Sequence, residues 1–511
     1  MTDPVLWTLI FIQIAMGGFD TIVHHEATER LAWRPSQERE LQLHGVRNLL
    51  YGVLFVTLGW FEVNGLWAIA VIVLLSAELL ITLWDFVEED LTRKLPASER
   101  INHTLLTLNY GAILVLLVPV FITCSGRETA VIFVDYGIVS QLATLSAIAV
   151  TIFGLRDLAA ARRSPRLVPT DAAPLLDALD GRRYRVLVTG ATGFIGRRLV
   201  EALVSKGHSV TVQTRDPARA ANLMPPLKII TRLDQIACDE TIDVIVNLTG
   251  DPITSGLWTR RKRHRILRSR LKATEGVLRL IERLEQRPEL LINASAIGWY
   301  GLHDDAVLDE AGPANDCFSH RICAAWEERA GRAAALGVRV VCLRIGLVLG
   351  TEGGLLANLL TPFEFGLGVR LGDGRQWMSW ISRDDLIRLI GHVAATPELE
   401  GPVNATAPDP VRNTAFTKAL ARALGRPALL AAPAWLLRFL AGAMAEEILL
   451  GGQRIVPAKA LASGFRFHDM ELEPTLKKIT GSSKCAKISP SVPARRLART
   501  QADGGPARTS A

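Results

Sequence analysis

Cysteine is scarce in this sequence, and its spacing gives no sign of pairing. Only six cysteines occur among 511 residues, and Cys317 and Cys323 lie too far apart to form a C-x-x-C motif. This pattern argues against a disulfide framework. We therefore expect free thiols and a reducing compartment.

Charged residues are also few, at 21% of the chain, and they are sparse in five apolar segments within the first 160 residues. The third, fourth and fifth segments are about 20 residues or longer, enough to cross a bilayer. The second is short and fits a tilted or partly interfacial span. The composition predicts an all-α transmembrane bundle of about five helices over residues 1–156. The segments are Pro4–Val23, Asn48–Phe61, Gly65–Phe86, Thr104–Cys124 and Ala130–Gly154.

The first segment lacks the basic N-terminal region and the small-residue cleavage site of a signal peptide, so we expect it to remain as a span. Basic residues are likewise nearly missing from one side of the predicted bundle, where only Arg127 occurs. The positive-inside rule assigns the other side to the cytoplasm. We therefore expect a multi-pass protein of the cytoplasmic (inner) membrane, with the chain after the fifth span inside the cell.

A weak internal repeat relates the two halves of this bundle. The two copies are offset by about 59 residues, and each holds two spans around a polar cytoplasmic loop. Asp20, Leu31, Pro35, Glu38-Arg39, His44 and Tyr51-Gly52 correspond to Asp85, Leu95, Pro96, Glu99-Arg100, His103 and Tyr110-Gly111.

Imidazoles and carboxylates recur in this repeat at helical spacing. Asp20 and His24 are four residues apart, as are Asp85 and Glu89, so each pair shares one helix face. Such side chains suit a transition metal such as iron or zinc at the membrane edge. The alternative is that they are solvated, helix-ending residues at the lipid interface. The candidate metal ligands are Asp20, His24, His44, Asp85, Glu89 and His103.

A glycine-rich stretch, YRVLVTGATGFIGRRLVEALVSKG, begins at Tyr184. Its apolar run predicts a buried parallel strand, and its second half predicts a helix over Ile195–Lys206 that ends at Gly207. A strand, a glycine-rich turn and a helix N-terminus together form a dinucleotide site, because free N–H groups meet the pyrophosphate there. The cofactor-binding candidates in this stretch are Thr189, Gly190, Gly193, Phe194, Ile195 and Gly196.

The end of the next predicted strand, Ser209–Thr214, bears on the choice of cofactor. An NAD enzyme usually has an acidic residue there for the ribose hydroxyls, whereas this chain has Gln213 or Thr214, followed by Arg215. An arginine suits a 2′-phosphate, so we expect NADP(H) rather than NAD(H). Thr249 and Gly250 follow a further buried strand and complete the predicted site. Strands alternating with helices predict a doubly wound, Rossmann-like parallel sheet over residues 184–432.

Seven ordered motifs resemble the atypical short-chain dehydrogenase/reductases of the "epimerase family", relatives of nucleotide-sugar epimerases. The resemblance runs from about Tyr184 to Thr480 and includes a small C-terminal helical domain over residues 433–480. It implies a Rossmann-like fold and an NAD(P)-dependent oxidoreductase or epimerase. The motifs are VTGATGFIG, NLTGDPI, WTRRKRHRILRSR, NASAIGWYG, CLRIGLVLG, GDGRQWMSWISRDDL and GPVNATAP.

The resemblance also implies a catalytic Ser with a Tyr-x-x-x-Lys dyad, and the dyad is absent. Ser295 matches the serine, but Ser319 and Cys323 stand at the tyrosine and lysine positions. Tyr300, at a strand's C-terminal end, and His320 are the candidate proton carriers in its place. Both residues also fit structural roles, as a pocket wall and a helix-surface residue. The candidates for the substrate side are Arg344, Arg375, Trp377, Met378, Ser379 and Trp380.

The remaining segments bear on partners. Trp258–Lys272 is strongly basic but has no aromatic interleaving, so we expect no nucleic acid and instead a solvated face that lies against anionic lipid. Residues 157–183 are polar and proline-containing and predict a linker with a short helical piece. Residues 481–511 predict a disordered tail. The oligomeric state stays open, a homo-oligomer included.

Three functions fit this sequence. The leading hypothesis is a membrane-tethered NADP(H)-dependent oxidoreductase or epimerase that acts on a small molecule, of nucleotide-sugar or lipid-linked type. A second joins the NADPH domain to a metal-dependent membrane oxidoreductase. A third, motivated by the missing dyad, is a non-catalytic NADP(H) sensor or scaffold.

Overall fold

The computed structural model describes residues 3–93, 95–167, 169–221 and 223–482; most of the predicted tail lies outside them. Its α-helices are α1 Pro4–Phe19, α2 Glu38–Trp60, α3 Leu66–Thr92, α4 Ala97–Ser125, α5 Ile138–Arg163, α6 Phe194–Ser205, α7 Pro217–Ala220, α8 Arg260–Arg283, α9 Phe318–Gly331, α10 Gly354–Glu364, α11 Arg383–Ala395, α12 Asn413–Leu424, α13 Ala434–Ala441, α14 Ala458–Ala462 and α15 Leu472–Ile479.

The strands are β1 Phe61–Asn64, β2 Ala130–Phe133, β3 Arg185–Thr189, β4 Ser209–Gln213, β5 Lys228–Ile230, β6 Val244–Asn247, β7 Leu290–Ala296, β8 Val307–Leu308, β9 Arg339–Ile345, β10 Leu347–Leu349, β11 Val369–Leu371, β12 Trp377–Met378, β13 Trp380–Ser382, β14 Gly401–Ala405, β15 Val411–Arg412, β16 Leu430–Ala432 and β17 Arg454–Ile455. Two π-helical segments, Asp20–Glu29 and Ala445–Leu450, occur among the described residues.

Helices α1–α5 form the N-terminal bundle. Four helices of the described residues are long and apolar enough to cross a membrane, namely Pro4–Trp33, Leu66–Thr92, Ala97–Ser125 and Ile138–Arg166. Their outward side chains are apolar, with Leu66, Leu108 and Val115 each at least 68% exposed. Charged side chains lie inside the bundle instead. This arrangement is the reverse of a water-soluble bundle and is compatible with membrane association.

A stripe of glycines packs α2 against α5. Gly45, Gly52 and Gly59 are seven residues apart, and a Cβ at Gly45 or Gly59 would lie 2.6 Å from Leu158 or Ala143 of α5. Small residues let two helix backbones approach closely where no hydrophobic effect drives them together. Helix α2 is not among the four long apolar helices, because its first turns carry Glu38, Arg39, Glu40 and Arg47.

The predicted start of the fifth span was wrong. Residues Ala130–Phe133, which the sequence places at the start of the fifth span, form β2, which pairs antiparallel with β1. Helix α5 begins only at Ile138, after Gly137 with its φ of +67°. Branched and aromatic residues in both segments favour the strand pair over helix.

The second half of the chain is a Rossmann-like sheet flanked by helices, as predicted. Seven parallel strands follow the order β14-β9-β7-β6-β3-β4-β5. Val188 lies opposite Val212 and Val246 in this sheet, and all three are buried. Continuous apolar runs are typical of strands covered by helices on both faces.

The segment 157–183 contains the predicted short helical piece, but it is packed against the sheet domain and is not a free linker. Helix α5 continues to Arg163, and a 3-10 segment, Ala173–Leu179, follows. Its side chains Leu175, Leu176 and Leu179 belong to the core of the sheet domain, and Leu176 is fully buried. The leucines outweigh the polar residues and prolines around them, because burying each contributes about 1.5–3 kcal/mol.

The bundle contacts the sheet domain through a buried ion network. The guanidinium of Arg156 at the end of α5 contacts Glu26 and donates to Glu364 of α10 at 3.0 Å. Arg163 also donates to Glu364, at 2.8 Å, and stacks on the ring of Trp33. The surrounding apolar cluster joins residues of both halves.

Candidate functional site

The glycine turn after β3 has the geometry of a dinucleotide loop. Gly190 has a φ of +70°, which L side chains rarely adopt, and a Cβ there would lie 2.9 Å from the Leu248 backbone. A Cβ at Gly196 would lie 2.8 Å from the Ala191 Cα atom. These glycines are therefore required for the turn and for the close approach of α6. The Thr189 hydroxyl donates to Asn247 at 2.6 Å and ties β3 to β6 below the turn.

The N-terminus of α6 faces this turn. Gly193 is its N-cap residue, so the N–H groups of Phe194, Ile195 and Gly196 have no acceptor within the helix. Unsatisfied N–H groups and the helix dipole make such an end an anion site. The Phe194 ring lies against the loop before α10, where a Cβ at Gly353 would meet it at 2.6 Å. The loop before α10 therefore lies beside the predicted cofactor site.

Arg215 follows β4 and is exposed. It makes no ion pair or hydrogen bond with any residue that the structure describes. The neighbouring carboxylate of Asp216 is engaged, since it accepts from the Ala218 N–H at 3.1 Å and pairs with Arg219 at 3.4 Å. Arg215 is therefore available to bind a ligand at the end of β4. The Asp216 carboxylate is not, because it caps the N-terminus of α7.

Thr249 and Gly250 lie after β6, beside the turn. A Cβ at Gly190 would also lie 3.1 Å from the Thr249 N atom. The Thr249 hydroxyl is buried and has no hydrogen-bond partner among the described residues. A Cβ at Gly250 would lie 3.1 Å from the guanidinium of Arg270. The loop thus brings an unpaired hydroxyl and a cation to the predicted cofactor side.

Ser295 lies at the C-terminal end of β7 in a network that the sequence did not predict. Its hydroxyl donates to Glu327 at 2.6 Å, and Arg344 donates to the same carboxylate through Nε and a terminal nitrogen, both at 3.0 Å. The sequence did not indicate a role for Glu327. Glu327 contacts Ser295, 32 residues before it, and Arg344, 17 residues after it. A local sequence pattern does not reveal contacts over such separations.

Tyr300 is fully buried. Its hydroxyl donates to Asn404 at 2.8 Å and accepts from Arg344 at 3.1 Å. Burial raises the pKa of Tyr300 above its usual range. These contacts use the hydroxyl inside the protein and favour the structural alternative for this residue.

The positions of the missing dyad both face the turn after β7. A Cβ at Gly298 would lie 3.0 Å from the Ser319 Cβ and 3.8 Å from the Cys323 sulfur. Ser319 donates to Glu447 at 2.7 Å. Burial raises the pKa of Cys323 to about 12, so its thiol is neutral near pH 7. Neither residue replaces the acid–base chemistry of tyrosine and lysine.

His320 is partly exposed and adjoins the same turn. Its Nδ1 bonds the Trp299 carbonyl oxygen, which makes Nδ1 the protonated nitrogen and leaves Nε2 to exchange a proton. Of the three predicted catalytic side chains, Ser295 and Tyr300 are buried and His320 is the one that solvent reaches.

Part of the predicted substrate side belongs to the core. Met378, Ser379 and Trp380 are buried, and the Ser379 hydroxyl donates to the Gln453 carbonyl at 2.7 Å. Trp377 is half-buried and donates to Asp305 at 2.9 Å. Arg375 is exposed.

From Arg260 onward, the basic segment Trp258–Lys272 forms the first turns of α8. Several of its charged side chains are paired with a carboxylate or an aromatic ring. Lys262 is buried and donates to Asp251 at 2.7 Å, and Arg265 contacts the same carboxylate at 3.1 Å. The guanidinium of Arg270 lies over the Trp326 ring. Arg263 is half-buried and lies over the rings of Trp258 and Phe318, whereas Arg260, Arg261, Arg268 and Lys272 are exposed.

In the bundle, the structure brings four of the six predicted metal ligands together and adds two. Two groups of ligand-type side chains form among the described residues, each with its ligand atoms within 4.8 Å of one another. His24 and Asp85 are in neither group: His24 bonds Asp20 at 2.7 Å, and Asp85 contacts His44 at 3.0 Å. The groups are Asp20, His25, Glu99 and His103, and His25, His44 and Glu89.

Two regions of the chain match known families. Residues 186–405 match the NAD dependent epimerase/dehydratase family, and residues 432–479 match a domain of unknown function, DUF1731. The chain is 37% identical over 301 residues to a chloroplastic homolog of epimerase family protein SDR39U1 from Arabidopsis thaliana. It is 37% identical over 307 residues to epimerase family protein YfhF of Bacillus subtilis.

These alignments cover 58% of this chain and 86% and 99% of the two relatives. The crystal structure of human epimerase family protein SDR39U1 (isoform 2) with NADPH is 31% identical, with a TM-score of 0.52. It covers 58% of this chain and 99% of that chain. The helical bundle lies outside both matched families.

Proposed function

This chain belongs to the NAD dependent epimerase/dehydratase family, and from that premise we propose that its sheet domain is an NADP(H)-dependent oxidoreductase held at a membrane by α1–α5. The observation that carries the proposal is the glycine turn before α6 with the unpaired Arg215 beside it. The NADPH in the crystal structure of the human relative supports the same cofactor. The four long apolar helices support the tether.

The preference for NADP(H) rests on the charges after β4. The N–H groups at the start of α6 suit a pyrophosphate, and Arg215 suits an additional 2′-phosphate. An NAD enzyme needs a free carboxylate here for the ribose hydroxyls, and Asp216 already binds the Ala218 N–H and Arg219. Arg215 therefore favours the 2′-phosphate of NADP(H), and the engaged Asp216 disfavours the free ribose hydroxyls of NAD(H).

Proton transfer is assigned to His320 in this proposal. When bound, NADPH supplies a hydride to a carbon of the substrate. The Trp299 carbonyl fixes the Nδ1 proton of His320, so a protonated ring gives its Nε2 proton to the substrate oxygen. Ser295, whose proton goes to Glu327, keeps its oxygen lone pairs for a substrate hydroxyl. Tyr300 is left to support Arg344 and Asn404.

A lipid-linked substrate suits the small C-terminal domain better than a free nucleotide sugar. Helix α13 has no buried residue, and Trp435 and Phe439 are 67% and 83% exposed. Large exposed aromatic side chains on one short helix are typical of a surface that meets apolar material. Tethering would keep this helix near the bilayer where such a substrate lies.

A second candidate function couples the sheet domain to a metal-dependent oxidoreductase in the bundle. One contact favours it. Glu26 directly follows His25, and it binds both Arg156 and the Thr361 hydroxyl of α10, the latter at 3.0 Å. The loop before α10 packs on Phe194 at the cofactor turn. A residue adjacent to the candidate ligand His25 thus contacts α10, and the cofactor turn contacts the loop before that helix.

NADPH consumption by the purified full chain in detergent tests the leading proposal. We expect turnover with the lipid fraction of a cell extract and not with its water-soluble fraction. His320→Gln should lower the rate about 100-fold, the usual size of a general acid's contribution, whereas His264→Gln, on the exposed face of α8, should not. Tight NADPH binding without turnover in either fraction would instead favour the sensor or scaffold.

A further inference from the structure

Four buried side chains from one bundle helix and a π-helical segment converge on one point. Asp20 and His25 lie on the π-helical segment, and Glu99 and His103 lie on α4. Each offers one ligand atom within 4.8 Å of the others. Ionisable side chains are expensive inside an apolar bundle and are retained there for a function. We call these four residues the metal group.

Asp20 is anchored through Oδ1, and its Oδ2 faces two imidazoles and bonds His103 Nε2. Its Oδ1 accepts from the Asn102 amide at 3.1 Å and bonds the His24 ring at 2.7 Å. Its Oδ2 lies 3.3 Å from His25 Nε2 and 3.0 Å from His103 Nε2. Such anchoring of a ligating carboxylate by outer contacts is a regular property of metal sites.

Glu99 is oriented in a similar way. Arg93 donates to its two oxygens at 2.6 and 2.9 Å, and the same guanidinium binds Glu40 at 3.0 Å. Glu99 is fully buried. The cation fixes the carboxylate while its Oε1 lies 3.7 Å from His25 Nε2.

Several atoms at this point lack hydrogen bonds. His25 Nε2, His44 Nε2 and Glu89 Oε2 are buried without a hydrogen-bond partner in the described part of the chain. The three residues are 7%, 2% and 1% exposed. A buried polar atom left without a partner costs about 1–3 kcal/mol. The unpartnered His25 Nε2, which faces Asp20 and Glu99, is explained by a cation that it binds. His44 Nε2 and Glu89 Oε2 belong to the neighbouring group.

The donor atoms indicate the class of metal. Two imidazole nitrogens and two carboxylate oxygens suit zinc, iron or manganese, whereas calcium and magnesium prefer oxygen alone. Two carboxylates also balance the charge of a divalent ion. His44 and Glu89 form a neighbouring pair, 3.7 Å apart.

A cavity gives access to this point from the edge of the bundle. Its volume is about 240 Å³, and Glu89 and His103 line it together with Phe86 and Arg100. The His103 ring stacks on Phe86 at 5.3 Å, which fixes its orientation. An ion and one further small ligand therefore have a route to His103.

We propose that Asp20, His25, Glu99 and His103 bind one divalent transition-metal ion, with Asp20 and Glu99 oriented by His24, Asn102 and Arg93. We assign His25 to this group because its Nε2 faces Asp20 and Glu99. The site goes beyond the dinucleotide function and does not depend on it. NADPH binding therefore measures correct folding of the sheet domain in every variant, and helix content in circular dichroism measures that of the bundle.

Cobalt titration of the chelator-treated full chain in detergent tests the site, because Co²⁺ bound to histidine and carboxylate absorbs visible light. We expect one equivalent to bind. His103→Gln and His25→Gln should each weaken binding at least about 100-fold, the upper range for the loss of an outer contact. His24→Ala should weaken it by about 10-fold.

Asn109→Ala is the matched control. Asn109 joins α4 to α1 through Leu9 and Gln13 at 2.9 and 2.8 Å, so its loss disturbs the same helix pair without removing a ligand. Cobalt binding should survive in this variant. A wild-type chain that binds no cobalt, or a His25→Gln, His103→Gln double variant that still binds it, would overturn the proposal. So would a loss in His44→Gln as large as in His103→Gln.

Discussion

Replacing Glu327 by glutamine should destabilise the sheet domain strongly. The side chain of Arg344 is 3% exposed, and Glu327 is its one ion-pair partner among the described residues. Glutamine keeps the shape of the side chain but removes its charge. The buried guanidinium then has no counter-ion, and breaking such a pair from one side costs about 3–5 kcal/mol.

The expected shift follows from this free energy. Because glutamine retains one hydrogen-bond acceptor, we take the lower limit of about 3 kcal/mol. In a domain of this size, 1 kcal/mol moves the unfolding midpoint by about 2 °C, so the midpoint should fall by about 6 °C. Tryptophan fluorescence of the full chain, heated in detergent, reports the transition, and Trp299, whose ring lies 3.5 Å from the Arg344 guanidinium, contributes to it.

Two control variants show whether the lower midpoint of Glu327→Gln comes from the lost charge or from a glutamine in this helix. Glu328→Gln changes the next residue, which is 76% exposed and pairs with an exposed arginine, so it should leave the midpoint unchanged. A double variant, Glu327→Gln with Arg344→Gln, removes both charges and should recover part of the loss. A midpoint within about 1 °C of wild type in Glu327→Gln would refute the reasoning, since the loss of one partner from a buried ion pair lowers the midpoint by several times that amount.

Three further predictions concern the cofactor turn, a histidine and the bundle. Gly196→Ala places a Cβ 2.8 Å from the Ala191 Cα, which should weaken NADPH binding about tenfold in a fluorescence titration; unchanged affinity would contradict the turn geometry. Burial, with Lys206 and Arg183 nearby, lowers the pKa of His208 from 6.5, so the unfolded chain binds more protons and acid destabilises the fold below that pH. His208→Asn should flatten the fall of the midpoint between about pH 7 and pH 5, and an unaltered slope would exclude this residue. Gly154→Leu places a side chain 2.9 Å from the Gly45 carbonyl oxygen and should lower the midpoint of helix loss in circular dichroism, by about 1–3 kcal/mol of stability; Gly111→Leu, where a Cβ meets nothing within 4 Å, is its control and should not.

The fold of the second half was predictable because its signals are local. The apolar run before Gly190, the glycine turn and Gly207 specify a strand, a turn and a helix within about 24 residues, as in other such folds. Edge strand β5 has only three residues, of which two are exposed, so it lacks the apolar pattern that reveals a strand. The sequence does not predict that the leucines of Ala173–Leu179 are buried in the core, because polar residues and prolines surround them.

The metal group shows where local periodicity is insufficient, because His24 does bond Asp20 as its spacing predicts but is not among the converging ligand atoms. The sequence predicts His24 as a ligand because it lies four residues after Asp20, one turn of an α-helix. The segment Asp20–Glu29 is π-helical, and its wider i to i+5 turn brings His25 to the face of Asp20. Glu99 lies in the repeat, and His25 directly follows the predicted ligand His24. Choosing between the two adjacent histidines requires the backbone conformation.

Binding of NADPH and NADH to the full chain tests the central claim most directly. We predict that NADPH binds more tightly than NADH and that Arg215→Ala removes the difference, about tenfold or more for a charge-assisted phosphate contact, while NADH affinity stays unchanged. Failure of the folded wild type to bind either cofactor, or an equal loss for both in Arg215→Ala, would contradict the account.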